Sequence, residues 1–262
     1  YGVLGSYVTV DSGSWRLRVT AAGSKSDVRL DLRGVDLGSR AITTLVLSSS
    51  AGGVLVDALL LAQRGAVTGR GNAEARVRVA ALLTDSATVS AAVAGTDVAV
   101  AVGAPAVGEY VRVPAGARST AVSVNGATIS APLLAFEAGR DYTLLLAGTP
   151  AAPRVVRLLD DNTLPRDSAR AKLRLVNALA DGSTAAALTL DFAPVGSSVP
   201  ADAASAAATV DATTTGRIAV TAPGAAAPLV VAEDQLIRAG AVHTVFVSGR
   251  SDAAVGILRR DR

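Results

Sequence analysis

Apolar residues recur in this chain at every second position. Trp15, Leu17 and Val19 alternate with Arg16 and Arg18, and Val28, Leu30 and Leu32 alternate with Arg29 and Asp31. The same pattern returns at Val98, Val100 and Val102, at Val122 and Val124, at Leu173 and Leu175, at Ile218 and Val220, and at Val245 and Val247. Successive strand side chains point to opposite faces, so this period predicts half-buried strands. Gly, Pro, Asn and Asp fill the gaps and read as turns. Helical periodicity is nearly absent. Val54–Gln63 fits either a buried strand or a short helix, and Ala201–Ala208 fits one helical turn or a loop. The expected class is all-β.

Composition narrows the functional classes. The 262 residues carry a net charge of +3, with 18% charged and 3% aromatic residues. The cations are dispersed singly, apart from Arg259, Arg260 and Arg262, which surround Asp261. A nucleic-acid binder shows a basic stripe with stacking aromatics, so no nucleic-acid partner is expected. The longest apolar run, Val54–Ala62, is interrupted by Asp57, so no membrane-spanning helix is expected. With 0 Cys there is neither a disulfide nor a thiolate ligand or nucleophile. Zero Met and a start at Tyr1 are read as removal of a leader or as a fragment, and the composition is compatible with an extracellular or cell-surface location.

Landmarks repeat along the chain. Gly38, Gly139 and Gly240 each end an apolar segment and precede a Thr-containing strand, at spacings of about one hundred residues. A strand followed by a Gly turn recurs at Val10–Gly13, Val113–Gly116 and Val220–Gly224. Ala75–Val79 and Ala171–Leu175 open the later two units with alternating basic and apolar residues. A repeat of about a hundred residues, all strand and turn, has the size of a seven-stranded sandwich. The expected organisation is three tandem Ig-like antiparallel β-sandwich units at 1–68, 69–166 and 167–262. Their linkers fall at Gly65–Asn72 and Asn162–Ala169.

At these landmarks the sequence resembles a bacterial repeat family, domain of unknown function 4397. The resemblance rests on the opening strands Ala75–Val79 and Ala171–Leu175, and on Gly108-Glu109-Tyr110 followed by Pro114-Ala115-Gly116. It rests also on Gly5-Ser6-Tyr7, on Ala138–Thr143, and on a closing strand that ends in acid at Leu158–Asp161. The third unit lacks the Gly-x-Tyr element and places His243 where the middle unit has Tyr142. The resemblance implies secreted or surface proteins built of tandem sandwich-like units, and it supplies no catalytic residue.

Candidate chemistry is sparse. His243 is the single His; without a Gly-x-Ser-x-Gly elbow it reads as a surface or partly buried strand residue. One His and no Cys give too few ligands for a transition metal. Asp160, Asp161 and Asn162 lack the spacing of a Ca²⁺ loop and read as a strand-end turn. Asp97, Glu109 and Glu137 lie on separate strands or turns and form no carboxylate pair. Trp15, a possible sugar-stacking residue together with the four Tyr, reads as core. No enzyme activity, cofactor or metal is expected.

The first unit is short. About forty residues separate Arg76 from Gly116 and about fifty separate Lys172 from Gly224, whereas 12 precede Gly13. Two or three leading strands are therefore missing. Either the chain is truncated, or another copy completes the unit by strand addition. In the second case Tyr1, Val3, Leu4, Val8 and Val10 lie at the junction, and the head-to-tail contact propagates as a filament. The function expected from the sequence is a non-enzymatic, secreted structural protein of the bacterial surface or matrix, with copies of itself as partners. The rival reading is an adhesion or carbohydrate-binding module with surface polysaccharide as partner.

Overall fold

The computed structural model describes residues 2–129 and 132–262. Among these residues every regular element is a strand. The chain divides into two compact units, one of residues 1–50 and 54–72, the other of residues 51–53 and 73–262.

The first unit holds β1 (Gly13–Ala21), β2 (Ser24–Leu37), β3 (Thr43–Ser49), β4 (Val56–Ala62) and β5 (Val67–Arg70). Strands β1 and β2 form an antiparallel hairpin, and β3, β4 and β5 form a second antiparallel sheet in that order. Their shared core is small: Leu30, Leu32, Val35 and Ala58, flanked by Leu17, Val19, Leu37, Val56 and Leu60. The apolar run at Val54–Gln63 resolves as the strand β4, and the expected linker at Gly65–Asn72 contains β5. Trp15, expected in the core, is 36% exposed, and its indole N–H donates to the Asp11 carbonyl.

The second unit opens with β6 (Glu74–Ala81), β7 (Thr88–Val93), β8 (Thr96–Gly103), β9 (Ala106–Val107), β10 (Val111–Pro114) and β11 (Gly116–Arg118). It continues through β12 (Thr120–Val124), β13 (Ala127–Ile129), β14 (Leu134–Phe136), β15 (Asp141–Thr149) and β16 (Ala152–Asp160). A second series follows: β17 (Arg170–Leu179), β18 (Ala187–Leu190), β19 (Ala193–Pro194), β20 (Ala203–Ala204) and β21 (Ala208–Asp211). The last strands are β22 (Thr213–Thr221), β23 (Val230–Ile237), β24 (Val242–Arg250) and β25 (Ala253–Arg260).

Apart from a small two-stranded sheet of β11 and β14, these strands build two pairs of sheets. A five-stranded sheet, β10-β6-β15-β16 with β9 beside β6, faces the four-stranded sheet β13-β12-β7-β8. A second five-stranded sheet, β20-β17-β24-β25 with β21 beside β17, faces β19-β18-β22-β23. A third core lies between the two five-stranded sheets, built from Ala80, Leu82, Leu145, Val176, Ala178 and Phe246 among others. Both faces of each five-stranded sheet are therefore covered. This explains the run Leu144–Ala147, in which every side chain is buried instead of every second one.

The pairing departs from a purely antiparallel sandwich. Strand β6 runs parallel to β15, and β17 runs parallel to β24. Each series thus closes on its own first strand, whose direction matches that of its penultimate strand. Alternation also fails locally in β8. The ladder pairs Ala91 with Ala99 but Val89 with Val102, so β8 carries one extra residue there. That bulge turns Val100 outward to 70% exposure.

Candidate functional site

The core between the two five-stranded sheets contains charge. Along β6, Val77 and Val79 enter one core, so Arg78 between them points to the other face. Along β17, Leu173 and Leu175 do the same and Arg174 faces the middle. Both guanidiniums are buried, and a buried charge is tolerated only when it is paired.

The pairing is crossed. Arg78 of the first series donates to Asp261, which follows the last strand of the second. Arg174 of the second series donates to Asp160, at the end of the first, at 2.7 Å. The Thr residues complete each side. Arg78 Nε donates to Thr143 Oγ1 at 2.9 Å, and the Thr143 hydroxyl donates to Asp160 at 2.6 Å. Likewise Arg174 Nε donates to Thr244 Oγ1 at 2.8 Å, and Thr244 donates to Asp261 at 2.5 Å. The Tyr110 hydroxyl adds a bond to Asp160 at 2.6 Å. The Arg78 guanidinium carbon sits 4.5 Å from the Tyr110 ring centroid and 5.2 Å from that of Phe246.

Charge states follow from these contacts. Burial alone would raise the Asp160 carboxyl, but Arg174 and Arg78 outweigh it and hold it below the usual carboxylate range. Burial, with Asp160 adding to it, drives the Tyr110 phenol well above its ordinary value, so it stays a donor. The arrangement braces the two sheet pairs against each other. The Asp160-Asp161-Asn162 segment, expected to be a turn, supplies one brace through Asp160 and a further bond within the first series through Asn162. Asn162 is fully buried and donates to Asp141 at 2.7 Å, and Asp141 also receives a bidentate Arg76.

A cleft of about 280 Å³ beside the network is lined by Arg140, Asp160, Asp161, Arg174 and Ser205 among others. Asp160 and Arg174 are engaged with each other, and Asp161 takes a 2.8 Å bond from Lys172. Among the described residues no group of three or more His, Asp or Glu is placed to hold a metal ion. His243 lies deeper than a surface or partly buried position: it is 2% exposed, because β24 is covered on both faces. Burial lowers its pKa.

The other unusual place is the edge of β3. Strands β3, β15 and β24 occupy equivalent positions, each followed by a hairpin partner in the same register: Thr44 opposes Leu61, Thr143 opposes Leu158 and Thr244 opposes Arg259. The Gln63 N–H donates to the Ile42 carbonyl just as the Asp261 N–H donates to that of Val242, so Gln63 takes the place of the network aspartates. Strands β15 and β24 are buried almost throughout, whereas β3 is exposed from Leu45 to Ser49. The difference is one missing neighbour. Strand β15 has β6 along its other edge and β24 has β17, but among the described residues no strand pairs that edge of β3.

The segment before β1 is affected as well. Gly108-Glu109-Tyr110 leads into β10, which pairs with β6. Its counterpart, Gly5-Ser6-Tyr7, leads into Val8–Asp11, which has no regular structure. Val3, Leu4, Val8 and Val10, the expected junction residues, are 48–89% exposed, and Tyr1 lies outside the described residues.

These repeated positions follow the pattern on which the sequence resemblance rests. Residues 75–185 match the family model Domain of unknown function (DUF4397). The DUF4397 match begins at β6, spans the whole first series and ends beyond β17, so both arginine-bearing strands lie within it. The carboxylates are divided: Asp160 lies inside the DUF4397 segment and Asp261 outside it. A search of curated proteins finds no match. Sequence reading missed the crossed network because Arg78 and Arg174 occupy the polar positions of an alternating strand. The apolar residues that follow on the same face, such as Ala80, Leu82 and Val176, were the available signal.

Proposed function

We propose that this chain is a non-enzymatic structural protein of the bacterial cell surface or extracellular matrix, built from three sandwich repeats. On this reading it associates with copies of itself through the first repeat. The observation that carries the proposal is the open edge of β3. An unpaired strand edge flanked by exposed Leu45, Val46 and Leu47 is a template for strand addition. The contact joins different surfaces on the two copies, so it propagates instead of closing.

Light scattering across a concentration series, with negative-stain imaging of the same samples, tests this. The expected result is mass that grows with concentration, together with linear particles. Hydrogen exchange supplies the local readout: amides of β3 exchange fast in dilute protein and become protected on assembly. A monodisperse monomer at high concentration, with β3 amides protected, overturns the proposal, because the edge would then be satisfied within one polypeptide.

A further inference from the structure

Self-association through β3 requires a donor strand, and the following inference, which rests on that reading, names it. In the second unit the slot beside the equivalent strand is filled by β6 or β17, of 8 and 10 residues, running parallel to its neighbour. Both fillers place an Arg beside a Thr of the neighbouring strand: Arg78 at Thr143 and Arg174 at Thr244. Each Arg also lies near the carboxylate of its own series, Arg78 at 3.8 Å from Asp160 and Arg174 at 3.9 Å from Asp261. At that place the first unit has neutral Gln63. An Arg brought beside Thr44 would lose this carboxylate on burial, which disfavours a basic strand in the slot.

The segment Gly2–Ser12 fits the vacancy. It contains no Lys or Arg, carries apolar side chains at Val3, Leu4, Val8 and Val10, and is comparable in length to β6 and β17. It is also exposed and free of regular structure, so donating it breaks no sheet. We propose that residues 2–12 of a second copy add to the open edge of β3 as a parallel strand, and that Gln63 selects this donor, which carries no basic side chain, over an arginine-bearing one.

The test uses two fluorescent peptides, one with the sequence Tyr1–Ser12 and one with the sequence Glu74–Leu83. Each is titrated into the full chain carrying Val8→Asp and Val10→Asp, which disables its own donor, and into dilute wild-type chain; anisotropy is the readout. The Tyr1–Ser12 peptide is expected to bind both proteins saturably and about tenfold more tightly than Glu74–Leu83. Gln63→Asp is expected to remove or reverse that preference. Absence of Tyr1–Ser12 binding to either protein overturns the donor assignment, and tighter binding of Glu74–Leu83 to the wild-type slot overturns the role of Gln63. The two levels separate cleanly. Wild-type assembly without peptide binding keeps self-association and rejects this donor, whereas peptide binding to a chain that never assembles keeps the slot and rejects the polymer.

Discussion

Arg78 and Asp261, 183 positions apart, form a buried ion pair between two five-stranded sheets. Arg174 and Asp160 form its counterpart in the opposite sense. Because each series of strands supplies one charge to each pair, neither sheet can satisfy its own guanidinium fully.

Removing one member of such a pair strands the other. Asp261→Ala is expected to destabilise the second unit by about 3–5 kcal/mol, read as a lowered urea midpoint. The double substitution Arg78→Met with Asp261→Leu is expected to recover most of that loss, since two apolar side chains leave no buried charge. Arg16→Ala, which removes an exposed, solvent-screened partner of Asp31, is expected to leave the urea midpoint nearly unchanged. A loss at Asp261 as small as that at Arg16 would show that the network does not brace the sheets.

Acid is expected to unfold the chain through Asp31 and Asp160. A hydrogen bond from Arg16 lowers Asp31 to about 2, and Arg174 and Arg78 lower Asp160 despite its burial. A carboxyl whose folded pKa is depressed stabilises fully above its unfolded value of about 4 and loses that contribution as pH falls through the folded value. Urea midpoints are therefore expected to fall steadily below pH ~4. Asp31→Asn should flatten the slope within the first unit. A slope unchanged by that substitution would exclude Asp31 as a source.

His243 offers a second pH readout. Burial, with Arg260 and Arg238, lowers its pKa, while Asp261 and a backbone hydrogen bond to Lys172 partly oppose the shift. The folded imidazole thus stays neutral at a pH where that of the unfolded chain has bound a proton. Stability is expected to decline from about pH 6.5 down toward the folded value. As the single His, its imidazole resonance can be titrated directly by NMR. A midpoint below 6.5 is expected, and one above it would contradict the burial argument.

Two glycines close equivalent hairpins. Gly148 and Gly249 have φ of +96° and +87°, and a Cβ on either would lie 2.6 Å from the carbonyl oxygen of Ala152 or Ala253. Gly148→Ala is expected to destabilise by about 1–3 kcal/mol through strain and clash together. Gly103→Ala, at an ordinary φ with open space around it, is expected to be neutral or slightly stabilising. Equal effects at both positions in thermal melts would reject this account.

Much of the strand content was legible in the sequence, and particular residues show where legibility stopped. Trp15–Val19 and Val28–Leu32 alternate because the hairpin that holds them is covered on one side only. Strands β6, β15, β17 and β24 are covered on both sides, so alternation reports only which core a residue enters, and Arg78 resembles a solvent-facing position until the second cover is known. The parallel register of β6 with β15 leaves no local mark, since it joins segments that no single turn connects. Gly65–Asn72 reads as a linker from its glycines, yet Val67–Arg70 finds a partner in β4. The unpaired edge of β3 was not legible, because only comparison with β15 and β24 shows that its other edge lacks a neighbour among the described residues.

The return of β15 to β6 bears on how the polypeptide is made. Arg76 meets Asp141 across 65 positions, and Arg174 meets Thr244 across 70. During synthesis each opening strand leaves the ribosome well before its parallel neighbour exists. Long-range closure of this kind slows folding and prolongs exposure of sticky intermediates. A nascent series therefore stays adhesive until its final hairpin emerges, and the order of translation governs how long that interval lasts.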